Sequence, residues 1–255
     1  SVEVFQPDTP APPNRIAAAT SWLKVVGRRE YENVKRNHCK RKERQMHIRG
    51  VILEGYSNAG KTSVLRAIKQ YQSQDETAER SVVILGEHYS QILNNNHGGY
   101  VSLSRVEHIK LLRERIDMLK KLNEWAVQLG PASRRSRGLF YVLERFHLNH
   151  RAAFPNSNNI EINEIEEQLV SLGAKCILLT ISPEIAEDRI KSRQPNEWVN
   201  KTKDEVNLSI NELLNTQNVL RQQAEISKVP TLEINTDDKD WIKYVRTIME
   251  GNDFA

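Results

Sequence analysis

The sequence predicts an α/β fold: a layered sandwich of helices around a mainly parallel β-sheet. Three observations carry this. Five short apolar runs recur along the chain, each near-continuous rather than alternating, as expected of strands buried on both faces. Helical stretches with recognisable caps separate them. A glycine-rich turn lies between the first run and the first of those helices.

The elements follow in order. Residues 1–13 are proline-rich and are expected to be disordered. Residues 14–47 read as a basic helical extension, with Ile16, Leu23, Val26 and Val34 apolar in a polar strip. The first strand is Val51-Ile52-Leu53-Glu54, followed by the turn and a helix from Lys61 to Tyr71. Ser81–Leu85 is the second strand. Ser104-Arg105-Val106-Glu107 is a capping-box sequence. It opens a helix with Val106, Ile109, Leu112, Ile116, Leu119 and Leu122 on one face, ended by Gly130-Pro131. Leu139–Leu143 is the third strand. Ile162, Ile165, Leu169 and Leu172 mark a helix stopped by Gly173, before the fourth strand, Cys176–Thr180. Ser182-Pro183-Glu184 starts the next helix with a cap, a proline and an acid. Gln194-Pro195-Asn196-Glu197 breaks it, and Thr202-Lys203-Asp204-Glu205 caps a long helix ending near Ser227. The fifth strand is Thr231–Ile234. Two domains are expected, the extension 1–47 and an α/β domain over 48–255.

Composition narrows the class. The 255 residues are 38% hydrophobic and 27% charged, enough to bury a core. No apolar run nears the roughly 20 residues needed to span a bilayer. The first residues, SVEVFQPDTPAPP, lack the basic and apolar regions of a secretory signal. Two cysteines exclude a disulfide scaffold and a cysteine-based zinc site. A soluble, cytoplasmic protein is expected. Charge is unevenly placed. Residues 1–49 hold eleven Lys and Arg against five Asp and Glu, and the remainder 26 against 28. The basic stretch within residues 24–49 suits the phosphates of a nucleic acid or an acidic protein, or is a solvated helix face. The loop Arg134-Arg135-Ser136-Arg137 is read as a solvated surface.

Gly55-Tyr56-Ser57-Asn58-Ala59-Gly60-Lys61-Thr62 matches GxxxxGK[ST] between a strand and a helix, the context in which that motif binds a nucleoside triphosphate. Gly55 and Gly60 permit the tight path. The amides of Ser57, Asn58, Ala59, Gly60 and Ser63, with the helix N-terminus, present positive charge to phosphate oxygens. Lys61 is expected at the β and γ phosphates, and the Thr62 hydroxyl on Mg²⁺. Two strands end in an acid, Glu87 and Glu144, the latter followed by Arg145. Such a carboxylate can hold a metal through water or accept a proton from an attacking hydroxyl. Arg189 and Arg193 stand four apart on one helix face, beside the break at 194–197 that could act as a mobile lid.

These features (GYSNAGKT, ILGEH, YVLERFH, LLTISPEIAEDRIKSR and LEINTDD) together resemble the P-loop nucleoside and nucleoside-monophosphate kinases, in the thymidylate-kinase and deoxynucleoside-kinase branch, over roughly residues 48 to 250. The resemblance implies a five-stranded parallel sheet ordered 2-3-1-4-5 in a P-loop NTPase sandwich. It implies ATP and Mg²⁺ at Lys61 and Thr62, with Glu144 and Arg145 as the acid–arginine pair. Glu87 would be the base for a sugar hydroxyl, Arg189 and Arg193 the lid-side arginines, and Asn235-Thr236-Asp237 a turn near the adenine. The sequence departs from the branch at Ser57, where thymidylate kinases carry an acid, at Asn58, and at His88, where a proline is usual. The expected function is transfer of the ATP γ-phosphoryl to a nucleoside-like acceptor. A kinase for a nucleic-acid end or another small hydroxyl, and a non-catalytic nucleotide-binding module, are the alternatives. Relatives often dimerise through helices. The apolar face of 104–129 suits that role and core packing equally.

Overall fold

The structure is a computed structural model that describes residues 48–74, 79, 81–89, 93–96, 99–129, 138–155, 159–193 and 195–250. The expectations for residues 1–47 and for the basic loop 134–137 lie outside the described residues.

The elements run β1 (Ile48–Glu54), α1 (Lys61–Gln74), β2 (Ser81–Leu85), a 3-10 turn (Glu87–Tyr89), β3 (Leu93–Asn96), β4 (Gly99–Ser102), α2 (Arg105–Gln128), β5 (Leu139–Glu144) and α3 (His147–Ala153). They continue with α4 (Ile160–Ser171), β6 (Ala174–Thr180), α5 (Pro183–Arg193), α6 (Pro195–Trp198), α7 (Lys203–Ile226), β7 (Thr231–Asn235) and α8 (Trp241–Glu250). The main sheet is ordered β2-β5-β1-β6-β7. All four pairings are parallel. Counting only these strands in chain order, this is 2-3-1-4-5. The fold is thus the expected P-loop NTPase three-layer sandwich.

Strand alternation sends successive side chains to opposite faces. One face packs Ile48, Ile52, Tyr141, Leu143, Cys176 and Leu178 against Ile109, Leu112, Ile116 and Leu119 of α2 and Ile162, Ile165 and Leu169 of α4. The other packs Val51, Leu53, Phe140, Val142, Ile177 and Leu179 against Val64 and Ile68 of α1 and Tyr244, Val245 and Ile248 of α8. Each fully buried Val, Leu or Ile contributes roughly 1.5–3 kcal/mol relative to exposure. The two apolar layers therefore hold the sheet's central strands, and their carboxyl ends, in fixed register.

Both capping boxes form. Ser104 N–H donates to Glu107 at 2.8 Å, and Thr202 N–H donates to Glu205 at 2.8 Å. Other expectations need correction. Val106 is exposed, and the fully buried His108 takes the core-facing place beside Ile109. The break at 194–197 is largely a single helical turn, α6, with Pro195 at its first position, where a missing N–H costs nothing. The sequence reading also lacked the antiparallel β3–β4 hairpin, α3 and α8. No helix among the described residues is long and apolar enough to cross a membrane.

Candidate active site at the carboxyl edge of the sheet

The glycine-rich loop leaves β1 through a backbone that few side chains tolerate. Gly55 has φ +138°, and a Cβ there would stand 2.6 Å from the Leu179 carbonyl oxygen. Gly60 has φ +94°, and a Cβ would meet the Trp241 ring at 2.7 Å. Asn58, at φ 78°, takes the left-handed region that asparagine enters more readily than most residues. The loop folds back with Ala59 N–H donating to Tyr56 O at 3.2 Å, and α1 begins with Val64 N–H donating to Gly60 O at 2.9 Å.

Lys61 is buried, and its Nζ donates to the carbonyls of Gly55 at 3.0 Å and Tyr56 at 3.1 Å. Burial is the main reason its pKa falls to about 7, and the Arg145 charge lowers it further. Glu144, Glu87 and Glu54 oppose the fall. A lysine held so weakly in its charged form gains most from a polyanion. Thr62 is exposed at the start of α1, with Ser63 beside it. Both line the cleft.

The opposite wall comes from β5 and β2. Glu144 ends β5 and is buried. Arg145 follows at φ 55°, an uncommon conformation for a non-glycine residue. Its Nη2 donates to the Ser57 hydroxyl at 2.9 Å, and its Nε forms an ion pair with Glu87 Oε2 at 2.8 Å without the alignment of a hydrogen bond. Arg145 thus joins the phosphate loop to the acid at the end of β2. Asn58, Gly60, Lys61, Thr62, Ser63, Glu87, Glu144, Arg145 and Arg189 line one cleft of 380 Å³. Gly86, His88 and Ser192 complete it.

Arg189 is nine-tenths buried on α5. Its Nη2 donates to Thr236 O, its guanidinium lies 5.7 Å from the Trp241 ring centre, and its Nε is buried without a hydrogen-bond partner. Burial lowers its pKa, and Asp237 opposes that. Arg193 is the last residue of α5.

The turn Asn235-Thr236-Asp237 lies beside the loop, outside the lining of the cleft. Its central Thr236 hydroxyl donates to Ala59 O at 3.0 Å and lies 3.1 Å from Thr180 O. Asp237 accepts from Ser182 N–H at 2.9 Å, and Asn235 donates to the Ser182 hydroxyl at 3.0 Å. The turn therefore braces the loop through Thr236, which the resemblance placed only within a turn near the adenine. No local signal marks a contact 177 residues away. Beneath the cleft, Glu54 is another buried carboxylate that the sequence reading took only as a strand end. An acid closing the apolar run Val-Ile-Leu was its available signal. Burial raises its pKa to about 7, against hydrogen bonds from Phe146 and Leu148 and the charges of Arg145 and Lys61.

The site suits a polyphosphate on its own geometry. It offers a loop bent where a Cβ would clash, a lysine donating to two loop carbonyls, and a buried arginine whose Nε has no hydrogen-bond partner among the described residues. The exposed Thr62 hydroxyl and the Glu144 carboxylate are hard oxygen donors, the type Mg²⁺ takes.

The five-stranded parallel sheet, with the glycine-rich loop after its first strand, has the layered α/β arrangement of a P-loop fold. No protein-family model matches the sequence, and no curated protein matches it. Among solved structures, the chain is similar to the YorR protein of Bacillus subtilis, solved in complex with phosphorylated GDP. The two are 12% identical, over 79% of this chain and 94% of that one, with a TM-score of 0.50. A thymidylate kinase from Ehrlichia chaffeensis is 12% identical over 79% of this chain and 98% of its own, with a TM-score of 0.46. A deoxyadenosine kinase from M. mycoides, with bound dCTP, is 13% identical over 79% and 98%, with a TM-score of 0.36. At these identities the likeness is one of fold.

Proposed function

We propose that this chain is an ATP-dependent phosphotransferase that passes the γ-phosphoryl group to a hydroxyl or phosphate of a nucleoside-type acceptor. The observation that carries the reading is convergence. Lys61, Arg145, Arg189, Glu87 and Glu144 come from four separate segments of chain and line one cleft at the carboxyl edge of a parallel sheet, the place where such sheets bind ligands.

In this reading the loop amides and Lys61 hold the β and γ phosphates. Thr62 and Glu144 would hold Mg²⁺, which supplies charge neutralisation at the phosphate oxygens. Glu87, oriented by Arg145, accepts the proton of the acceptor hydroxyl as its oxygen attacks phosphorus and the bond to the ADP oxygen breaks. Arg189, with Arg193 assigned the same role, meets the charge spread over the transferring group. Such fixed donors act without reorganising as the charge develops. Asn235 and Asp237 stay assigned to the adenine end.

The test is a Mg-ATP titration by calorimetry, followed by a transfer assay across nucleosides and nucleoside monophosphates, using wild type and Lys61→Ala. Saturable ATP binding, with transfer to at least one member of the panel that Lys61→Ala abolishes, is expected. No ATP bound by the wild type, or undiminished transfer in the variant, overturns the reading.

A further inference from the structure

The carboxylate of Glu54 sits under the cleft rather than in it. It is 1% exposed, where an unpartnered carboxylate is costly. Oε1 accepts hydrogen bonds from the amides of Phe146 at 2.8 Å and Leu148 at 3.1 Å. These amides belong to the start of α3, whose N-cap residue, Phe146, makes no side-chain cap of its own. The first amides of a helix need an acceptor. Glu54 supplies it from another strand, 92 residues away in sequence.

The residue between β5 and that helix start is Arg145. Its amide donates to Leu53 O at 3.0 Å. The backbone around Arg145 is therefore tied to Leu53 on one side and to Glu54 on the other. Those two residues lead directly into Gly55 of the phosphate loop. His147 fills the space beside the carboxylate, its Nδ1 3.9 Å from Oε1 and both its ring nitrogens without a hydrogen-bond partner. Among the described residues, Glu54 is the side-chain acceptor for both of these amides.

We propose that Glu54 is a positioning residue: by capping α3 it holds Arg145 in its left-handed conformation, so that one guanidinium reaches both Ser57 and Glu87. The structural part stands on these contacts alone; the catalytic consequence rests on the phosphotransferase reading above. The requirement is for an acceptor oxygen at the Oε1 position. Burial raises the Glu54 pKa to about 7, so near neutrality both forms of the carboxyl are present and both keep that oxygen. Glutamine keeps it as well, whereas methionine keeps the length and loses it.

The experiment follows the Arg145 Nε–H resonance by NMR, assigned by its loss in Arg145→Lys, in wild type, Glu54→Gln and Glu54→Met. The signal is expected to be sharp in wild type and Glu54→Gln, and broadened or shifted in Glu54→Met. In the transfer assay, Glu54→Met is expected to lower kcat by about tenfold or more, with the KM for ATP within about threefold, as misplacement of a positioned group does. Glu54→Met combined with Arg145→Lys should be no slower than Arg145→Lys alone, because both changes remove the same action. An unchanged resonance in Glu54→Met, or fully additive losses, overturns the proposal. Should Glu54→Met not fold, Glu54→Gln decides: loss of the resonance there overturns it, and retention supports it. The NMR arm does not depend on turnover. A wild type that transfers no phosphate defeats the functional reading and leaves the positioning result intact.

Discussion

The two walls of the cleft are built differently. The donor wall, formed by the glycine-rich loop, is clamped from several directions. Thr236 holds Ala59 from below, Trp241 closes against Gly60, and the loop springs from β1, whose residues are buried almost throughout. The opposite wall joins the well-buried end of β5 to β2, an edge strand that is exposed at its first residue and only half-buried after it, and its β2 side is the looser part. It continues into a 3-10 turn with no buried residue. Stability is not uniform across a fold, and segments with few buried contacts open most readily. On the proposed reading, the loop that takes the phosphates is the rigid side, and the side assigned to the acceptor is the adjustable one.

The largest expected effect breaks the donor wall. Lys61→Ala removes the buried lysine of the cleft lining and should cut phosphoryl transfer by about a thousandfold or more in a single-turnover assay. Gly60→Ala should come next. It forces an L-residue into φ +94° and drives a methyl into the Trp241 ring, a cost of about 2–4 kcal/mol read from denaturant unfolding.

The acceptor wall should respond in function rather than in stability. Glu87→Gln should lower kcat by about a hundredfold, while the midpoint of unfolding moves little. An unchanged kcat would remove Glu87 from the base role. His88→Ala, at an exposed position, should change the acceptor KM by only a few-fold and stability by less than about 0.5 kcal/mol. If it instead melted the fold, the contrast between the walls would be wrong.

The smallest expected effect is on pH dependence. Glu54 has its native pKa raised from 4.5 to about 7, so between those values the folded state binds more protons than the unfolded one. Its contribution to stability is lost as pH rises through that window. Lys61 has its native pKa lowered from 10.5 to about 7, so between 7 and 10.5 the unfolded state binds more protons. There stability recovers as pH rises. Melting temperature against pH should therefore show a shallow dip near 7. Glu54→Gln should remove the acid side of the dip and Lys61→Met the alkaline side.

The contrast also explains what was legible in the sequence. The donor loop announces itself because phosphate binding demands glycines and a lysine at fixed spacing in one short segment. The strands are legible because each is buried on both faces. The strand-end residues Glu87, Glu144 and Arg145 follow from where those strands stop. Missing from that reading was α8, although Trp241, Tyr244, Val245 and Ile248 have a helical spacing. Its short span beyond the last strand hid it. The β3–β4 hairpin was unreadable because Asn94-Asn95-Asn96 carries no apolar alternation. Thr236 acts through a contact across the fold that no local pattern records, and for Glu54 the acid closing an apolar run marks the residue but not its distant partners.

Trp241 touches the loop at Gly60, lies near Arg189 and meets Tyr244 edge-on at 5.7 Å. A polyphosphate that engages the loop or draws on the buried guanidinium changes the electrical surroundings of this indole. On the proposed reading, this ring is placed to report that arrival optically. Against a background in which Trp22, Trp125 and Trp198 are replaced by phenylalanine, the emission of one ring would follow nucleotide arrival in real time, with no label attached.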